Sequence, residues 1–417
     1  MIIPLYLVFT PLIHYIVTSI VKIRNNIVNF VFPTIYLVLL TYLIIDTRGL
    51  LRGYTLSTLP ILGNLHTSLI LVTDYLSLVF LSLILIYYFF ITINMTHREK
   101  LVLISMLTIN ALTLDLLLSM MIFLVITLYL TIIKGNTRII KYSMVFTILF
   151  LLGYIFTNTF NIGLLVFLNR FRYLPEELLG LGTYLYLLGY LYLLFLPIGF
   201  QPIIRKPVID PDDKFFIIFY ALPILSRLLP ILGLLYNDTF YRIYSYFLLA
   251  LASVNMLHYT ISYLSGRKLD DIEAYEYSGL FLLLCIASPS SLQVALLAIT
   301  LYFIHDIIAS VSKHLEKYVI LSRLGVFPLP GFLVKMYFFA TLYSYLGVLA
   351  LIIPLLTFLF MIFASIHLIS QAPLLDKRFF SISIIVSIIL ILVIDVYGLT
   401  ASTLFKLPDY QRIVFGV

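Results

Sequence analysis

Apolar runs of about 20 residues return along the whole chain, separated by short polar loops, and this repetition constrains the fold more than anything else in the sequence. A run of that length crosses the hydrocarbon core as one helix. The expected class is therefore all-α, a polytopic membrane protein with no sizeable soluble domain. Composition agrees. The chain is 62% hydrophobic and 11% charged, with mean hydropathy +1.12, where soluble domains carry about 25% charged residues. The single cysteine, Cys285, excludes an internal disulfide, an iron–sulfur cluster and a cysteine zinc site. The net charge of +7 is no sign of nucleic-acid affinity, because basic residues in such a chain mark the cytoplasmic loops. Tryptophan is absent, so tyrosine must supply most of the interfacial aromatic belt.

The runs resolve into about 14 spans. The third is placed near 68–94, the fourth and fifth meet around Asp115, and the tenth is short, near 277–289. The twelfth covers 319–345, and the thirteenth starts at 347. With both termini outside, seventeen of the 26 basic residues fall in inside loops, seven fall outside, and Arg227 and Lys335 lie within spans. Each inside loop then holds at least two basic residues, as the positive-inside rule requires.

One stretch carries the strongest functional signal. Residues 325–339 read Gly-Val-Phe-Pro-Leu-Pro-Gly-Phe-Leu-Val-Lys-Met-Tyr-Phe-Phe. Pro328, Pro330 and Gly331 break an apolar run, and such breaks are tolerated where they are buried in protein or line a cavity. Lys335 follows four residues after Gly331. A lysine at bilayer depth costs about 3 kcal/mol or more, so it is a functional candidate by default. A second break, Pro197-Ile198-Gly199, marks the earlier half of the chain. His305 and Asp306 are neighbours on the eleventh span and point about 100° apart. One could face a proton path while the other meets a neighbouring helix, and Asp306 is the expected counter-charge for Lys335. Lys313 lies near the inside end of that span, either as the cytoplasmic opening of the same route or as an ordinary positive-inside residue. Arg227 cannot release its proton and is expected to act as a fixed charge or to bind carbonyls. Asp270, Asp271, Glu273 and Glu276 read as a solvated loop or a surface for a partner. No nucleotide loop and no metal-spaced acid/histidine cluster is present.

The 325–335 segment resembles the Gly-φ-Pro-Pro-Leu-x-Gly-Phe-x-x-Lys pattern (φ apolar) in the twelfth helix of the antiporter-like subunits of respiratory complex I, with Phe327 in place of the first proline. The aromatic tail Tyr337-Phe338-Phe339 is closest to subunit N. Related chains occur in membrane-bound hydrogenases and multi-subunit cation/proton antiporters. Weaker likenesses follow in order: Asp74-Tyr75-Leu76-Ser77, Asp115-Leu116-Leu117, Arg267-Lys268 with Ala274-Tyr275-Glu276, the His305 region, and Asp395-Val396-Tyr397-Gly398.

The resemblance implies two inverted five-helix repeats, spans four to eight and nine to thirteen, with broken helices near 197–199 and 328–331. It divides the chain into helices one to three (1–97), a first repeat (98–236), a second repeat (237–372) and a C-terminal helix and tail (373–417). It implies a proton relay through Lys335 and His305, with other membrane subunits as partners, and the absence of tryptophan with the richness in isoleucine and tyrosine points to a prokaryotic membrane. Redox chemistry, with quinone, flavin and iron–sulfur clusters, would reside on those partners, so this chain would be a non-redox subunit of the translocating enzyme and bind no cofactor itself. The departures are specific. The family's fifth-helix glutamate falls at about Leu124 and its seventh-helix lysine at about Tyr192, and the eighth span keeps Arg227 with Lys214 at its start. The first half-channel is thus expected to be degenerate. A hydrogenase or antiporter subunit, or a non-pumping scaffold, is the other reading.

Overall fold

The computed structural model describes residues 3–20, 26–47, 52–62, 65–94, 98–113, 115–158, 176–197, 213–234, 239–266, 269–286, 288–311, 315–366 and 377–405. In chain order the elements begin with α1 (Ile3–Ile20), α2 (Asn26–Thr47), β1 (Arg52–Leu62), β2 (Leu65–Thr73), α3 (Tyr75–Asn94), α4 (Lys100–Leu112) and α5 (Leu116–Leu128), which a π-helical turn continues through Tyr129–Ile133. Next come α6 (Arg138–Asn158), α7 (Glu176–Phe195), α8 (Lys214–Leu234), α9 (Thr239–Gly266) and α10 (Leu269–Ile286). The chain closes with α11 (Pro289–Val311), α12 (Glu316–Arg323), α13 (Pro330–Ala364) and α14 (Lys377–Phe405). Among the described residues, eight helices are long and apolar enough to cross a membrane, and shorter apolar helices accompany them. The protein is an integral, predominantly helical membrane protein.

Two boundaries differ from the sequence expectation, each for a local reason. Residues 68–73 do not open the third span. They belong to β2, which pairs antiparallel with β1. The run Leu69-Ile70-Leu71-Val72-Thr73 is apolar enough for either state, and its β-branched residues suit a strand. The helix starts only after Asp74, whose carboxylate accepts the Ser77 N–H at 2.6 Å as an N-cap would. The tenth span also starts earlier than 277. Asp270 and Asp271 occupy the first turn of α10, where the positive helix end favours them. Glu273 and Glu276 therefore ride on the helix and not in a loop. At the α4–α5 junction, Asp115 caps α5 by accepting from Leu117 and Leu118.

The chain divides into two compact units. The first runs from Met1 to Pro197 and includes Val208–Ile231; the second holds Leu232–Phe405. Every α8 side chain from 214 to 229 is buried, so α8 is central to the first unit. Two-thirds of the α11 membrane window is buried (67%) against 22% for α14, so α11 lies inside the second unit and α14 at its edge. Large apolar side chains on outer helices are exposed, among them Val38, Ile148 and Leu392. In lipid such a surface faces its proper solvent. At 1.5 Å per residue the 35 residues of α13 would reach about 50 Å, more than the hydrocarbon thickness. The helix is interrupted at Gly347, where φ is 72°, at the border placed between the twelfth and thirteenth spans.

Candidate functional site: a buried ion cluster at a broken helix

The segment around Lys335 is two helices joined by a tight, specified turn. α12 stops at Arg323 because Gly325 adopts φ +69°. The Gly325 N–H reaches Ser322 O at 2.9 Å and the Val326 N–H reaches Leu321 O at 3.1 Å, the bond pair of a Schellman cap. The chain crosses Phe327–Pro328, a cis bond, and α13 restarts with Pro330 at its first turn, where a missing N–H does no harm. Gly331 is obligatory by contact: a Cβ there would lie 1.6 Å from Ser322 O. Ser322 ties the two ends together, its Oγ accepting the Gly331 N–H at 3.1 Å and meeting His305 Nε2 at 2.9 Å. Gly325 serves a second purpose, since its missing side chain leaves room for the Lys335 stem (2.9 Å from an added Cβ to Cγ).

Around this turn the second unit gathers its charges. Lys335 Nζ lies 3.5 Å from Glu276 Oε1. The other oxygen of Glu276 accepts from Arg323 Nη1 at 3.3 Å, and Arg323 Nη2 donates to Asp306 Oδ1 at 2.6 Å. Glu273 stands 4.0 Å from the same guanidinium. Glu276 and Arg323 side chains are each 1% exposed, whereas Asp306 and Glu273 keep 16% and 18%. The cluster thus has a sealed carboxylate at Glu276, a Lys335 side chain that keeps 10% exposure, and a wetter end at Asp306–Glu273, with Arg323 between. Aromatic faces close the rest: Lys335 Nζ is 5.3 Å from the Tyr275 ring centre, and Arg323 Cζ is 5.9 Å from that of Tyr302. A cavity of about one water molecule adjoins Lys335 and Glu276, walled by Met256, Gly279, Leu283, Ala298 and Phe338. Ions so buried cost several kcal/mol each to desolvate and are tolerated only when paired, as these are.

The first unit arranges charge differently. Arg227 of α8 meets Asp74 at 3.1 Å, Ser77 Oγ at 2.8 Å and the carbonyls of Ala111 (2.8 Å) and Thr113 (3.2 Å) at the C-terminal end of α4. At the start of α8, Asp213 lies 3.2 Å from Lys100 and 3.4 Å from Lys134. Between these two clasps the described side chains of α4, α5, α7 and α8 meet through uncharged groups. Ser119 Oγ donates to Asn110 at 2.8 Å and accepts from Tyr190 at 3.2 Å, while the Tyr220 hydroxyl donates to Ser119 O at 2.9 Å.

Solved structures share this fold. A chain of the Mrp complex from Dietzia sp. DQ12-45-1b matches with TM-score 0.72 at 11% identity, covering 100% of this chain and 99% of that one. A chain of the membrane-bound sulfane sulfur reductase, an archaeal respiratory membrane complex, matches with TM-score 0.72 at 12% identity, covering 99% of each. A chain of respiratory complex I from Thermus thermophilus with bound NADH matches with TM-score 0.61 at 14% identity, covering 99% of this chain and 100% of that one. At such identities the likeness is one of fold. No family profile and no curated protein matches the sequence.

The expected site residues fall in three groups. Lys335, Asp306 and His305 do come to one place, but with different partners from those expected. Asp306 is held by Arg323, and the counter-charge of Lys335 is Glu276. The reason is register: α10 starts at Leu269, which carries Glu276 two turns into the helix and out of the loop assigned to it. His305 turns its Nε2 to Ser322 Oγ, which places it on the helix break. Pro328, Pro330 and Gly331 form the turn. Pro197 is buried just after the end of α7, and Arg227 is the carbonyl-binding fixed charge described above. Gly199 and Lys313 lie outside the described residues. Sequence reasoning missed Glu276 and Arg323. Their signals were an acid a full turn beyond the Asp270–Asp271 first turn, and an arginine two residues before the capping glycine. In the first unit, Leu124 is 40% exposed, and the buried polar residues of α5 and α7 include Ser119, Thr183, Tyr184, Tyr186 and Tyr190. Among the described residues, no three His, Cys, Asp or Glu side chains gather as metal ligands.

Proposed function

We propose that this chain is a proton-translocating membrane subunit of a complex-I-like oxidoreductase, nearest to subunit N, in which Lys335 is the central proton carrier. The observation that carries this reading is the Lys335–Glu276 pair at a broken helix, buried, beside a small cavity and joined through Arg323 to a wetter carboxylate end. An amine and a carboxylate within 3.5 Å can exchange a proton and so alternate between charged and neutral states. His305 would set the geometry of the break through Ser322. About 14 spans in two inverted five-helix repeats, with both termini outside, complete the architecture. The electron-transferring groups (quinone, flavin, iron–sulfur clusters) would sit on partner subunits, and the work of this chain would be driven by charge shifts passed from its membrane neighbours. The first unit would be a half-channel that has lost its titrating groups and serves as scaffold, a reading supported by its neutral Ser119–Asn110–Tyr190–Tyr220 interior.

A second reading has a specific observation in its favour: the match to a chain of the Mrp complex has TM-score 0.72, against 0.61 for the complex I chain. A subunit of a cation/proton antiporter, or of a membrane-bound hydrogenase, would use the same Lys335 site. Gentle extraction through this chain followed by mass spectrometry separates the two. Co-purifying iron–sulfur and quinone-site subunits support the oxidoreductase, antiporter chains alone move the protein to the second reading, and recovery of the chain by itself overturns both. The relay is tested by Lys335→Ala in the assembled complex, where proton uptake into proteoliposomes should be lost. Uptake at the wild-type rate would remove Lys335 from the path.

A further inference from the structure

The cluster has one member that cannot carry a proton. Arg323 keeps its charge under all conditions a protein meets, yet it stands between the two carboxylates a proton would visit in turn. Its Nη2 donates to Asp306 at 2.6 Å and its Nη1 to Glu276 at 3.3 Å. Lys335 reaches the other Glu276 oxygen at 3.5 Å. Two cations therefore share one sealed carboxylate, and one of them is also held by the carboxylate at the wetter end.

Resting on the relay reading, we propose that Arg323 is a positioning residue that couples protonation of Asp306 to Lys335, by competing with Lys335 for Glu276. With Asp306 ionised, the guanidinium is drawn to its shorter contact, and Glu276 serves Lys335. When a proton arrives on Asp306, the carboxyl no longer holds a cation by charge, and Arg323 turns more fully to Glu276. Lys335 loses its counter-charge and gives its proton onward. The proton on Asp306 then passes by way of Glu276 to the Lys335 amine, Asp306 is again a carboxylate, and Arg323 returns to it. One proton enters at Asp306, one leaves from Lys335, and the guanidinium is unchanged.

The groups facing this exchange are Glu273, Tyr275, Glu276 and Tyr277 of α10, Tyr302 and His305 of α11, Tyr318 and Arg323 of α12, and Lys335 of α13. α14 meets α11 through Tyr397 at Thr300. A bidentate guanidinium suits the role because one planar fork holds two carboxylates at once, which an ammonium does less well.

The test is the pH profile of proton translocation in the assembled, reconstituted complex, compared for wild type, Asp306→Asn, Arg323→Lys and Lys335→Ala. Asp306→Asn should slow translocation by about a hundredfold, the scale of a lost proton-transfer group, and remove one ionisation from the profile. Arg323→Lys should keep that ionisation but move its midpoint by about one pH unit or more. If Asp306→Asn does not assemble, Asp306→Glu reads the same midpoint through a longer arm. Translocation that persists in Lys335→Ala overturns the relay reading itself. Translocation lost in Lys335→Ala, together with wild-type midpoints in the Asp306 and Arg323 variants, overturns the coupling role of Arg323 alone.

Discussion

The two units handle buried charge in opposite ways. In the first, ionic contacts sit just before the start of α8, at Asp213, and well inside it, at Arg227, and a network of uncharged serine, asparagine and tyrosine groups lies between them. In the second, Lys335, Glu276, Arg323 and Asp306 form one cluster where a helix is broken. The Arg227 clasp is matched to fixed features. Arg227 faces the carbonyl end of α4, where a cation is favoured, and Asp74 starts α3, where an anion is. Such charges have no reason to move. In the central cluster two cations share Glu276, so shifting one alters the other. Pinned charge suits a scaffold, and shared charge suits a relay.

The contrast is sharpest at the lysine. Lys335→Ala should leave the complex assembled and abolish proton uptake, because it deletes the proposed carrier while Arg323 still balances Glu276. Arg227→Met, its counterpart in the first unit, should do the reverse. It takes the counter-charge from the buried Asp74 carboxylate, which keeps its Ser77 hydrogen bond, at about 3–5 kcal/mol, so assembly or thermal stability falls, while each complex that does assemble translocates normally. Uptake lost in well-assembled Arg227→Met would erase the distinction between the units.

Glycines give the next comparison. An added methyl at Gly331 would overlap Ser322 O at 1.6 Å, so the two half-helices must separate, and His305 and Ser322 with them. Gly331→Ala should cost about 3 kcal/mol or more and reduce translocation as well. Gly135 of the first unit has φ +68° and nothing within 4 Å of an added Cβ. Gly135→Ala should cost only about 1–2 kcal/mol of left-handed strain and leave translocation alone. Thermal unfolding of both variants beside uptake assays distinguishes a local strain from a broken site.

Lys335 and the helix break were legible because both are local signals: prolines and glycines in an apolar run, with a lysine at a fixed distance. The membrane class was legible for the same reason, as hydropathy is read one window at a time. The partners were not. Sequence proximity favours Asp306 as the counter-charge for Lys335, but helix register and packing give it to Arg323, and Glu276 enters the core because α10 begins at Leu269 and not at 277. Asp74 was visible as the start of a helix, yet its bond to Arg227 joins α3 to α8 and leaves no trace in local spacing. The β1–β2 hairpin was hidden by a run whose hydropathy fits strand and helix alike.

The mildest change asks whether the neutral interior of the first unit is as passive as its geometry implies. Tyr190→Phe removes one hydroxyl, which donates to Ser119 Oγ at 3.2 Å, and keeps the ring packed against Phe146 and Tyr220. Ser119 still has Asn110 at 2.8 Å and a second tyrosine, Tyr220, at 3.2 Å, so no buried group loses its last partner. The expected cost is about 1 kcal/mol, visible as a small drop in unfolding temperature, with an unaltered pH profile of uptake. A profile that shifts with this hydroxyl would mean that protons pass through the tyrosine–serine chain, and that the first unit conducts without the charged residues a half-channel was expected to need.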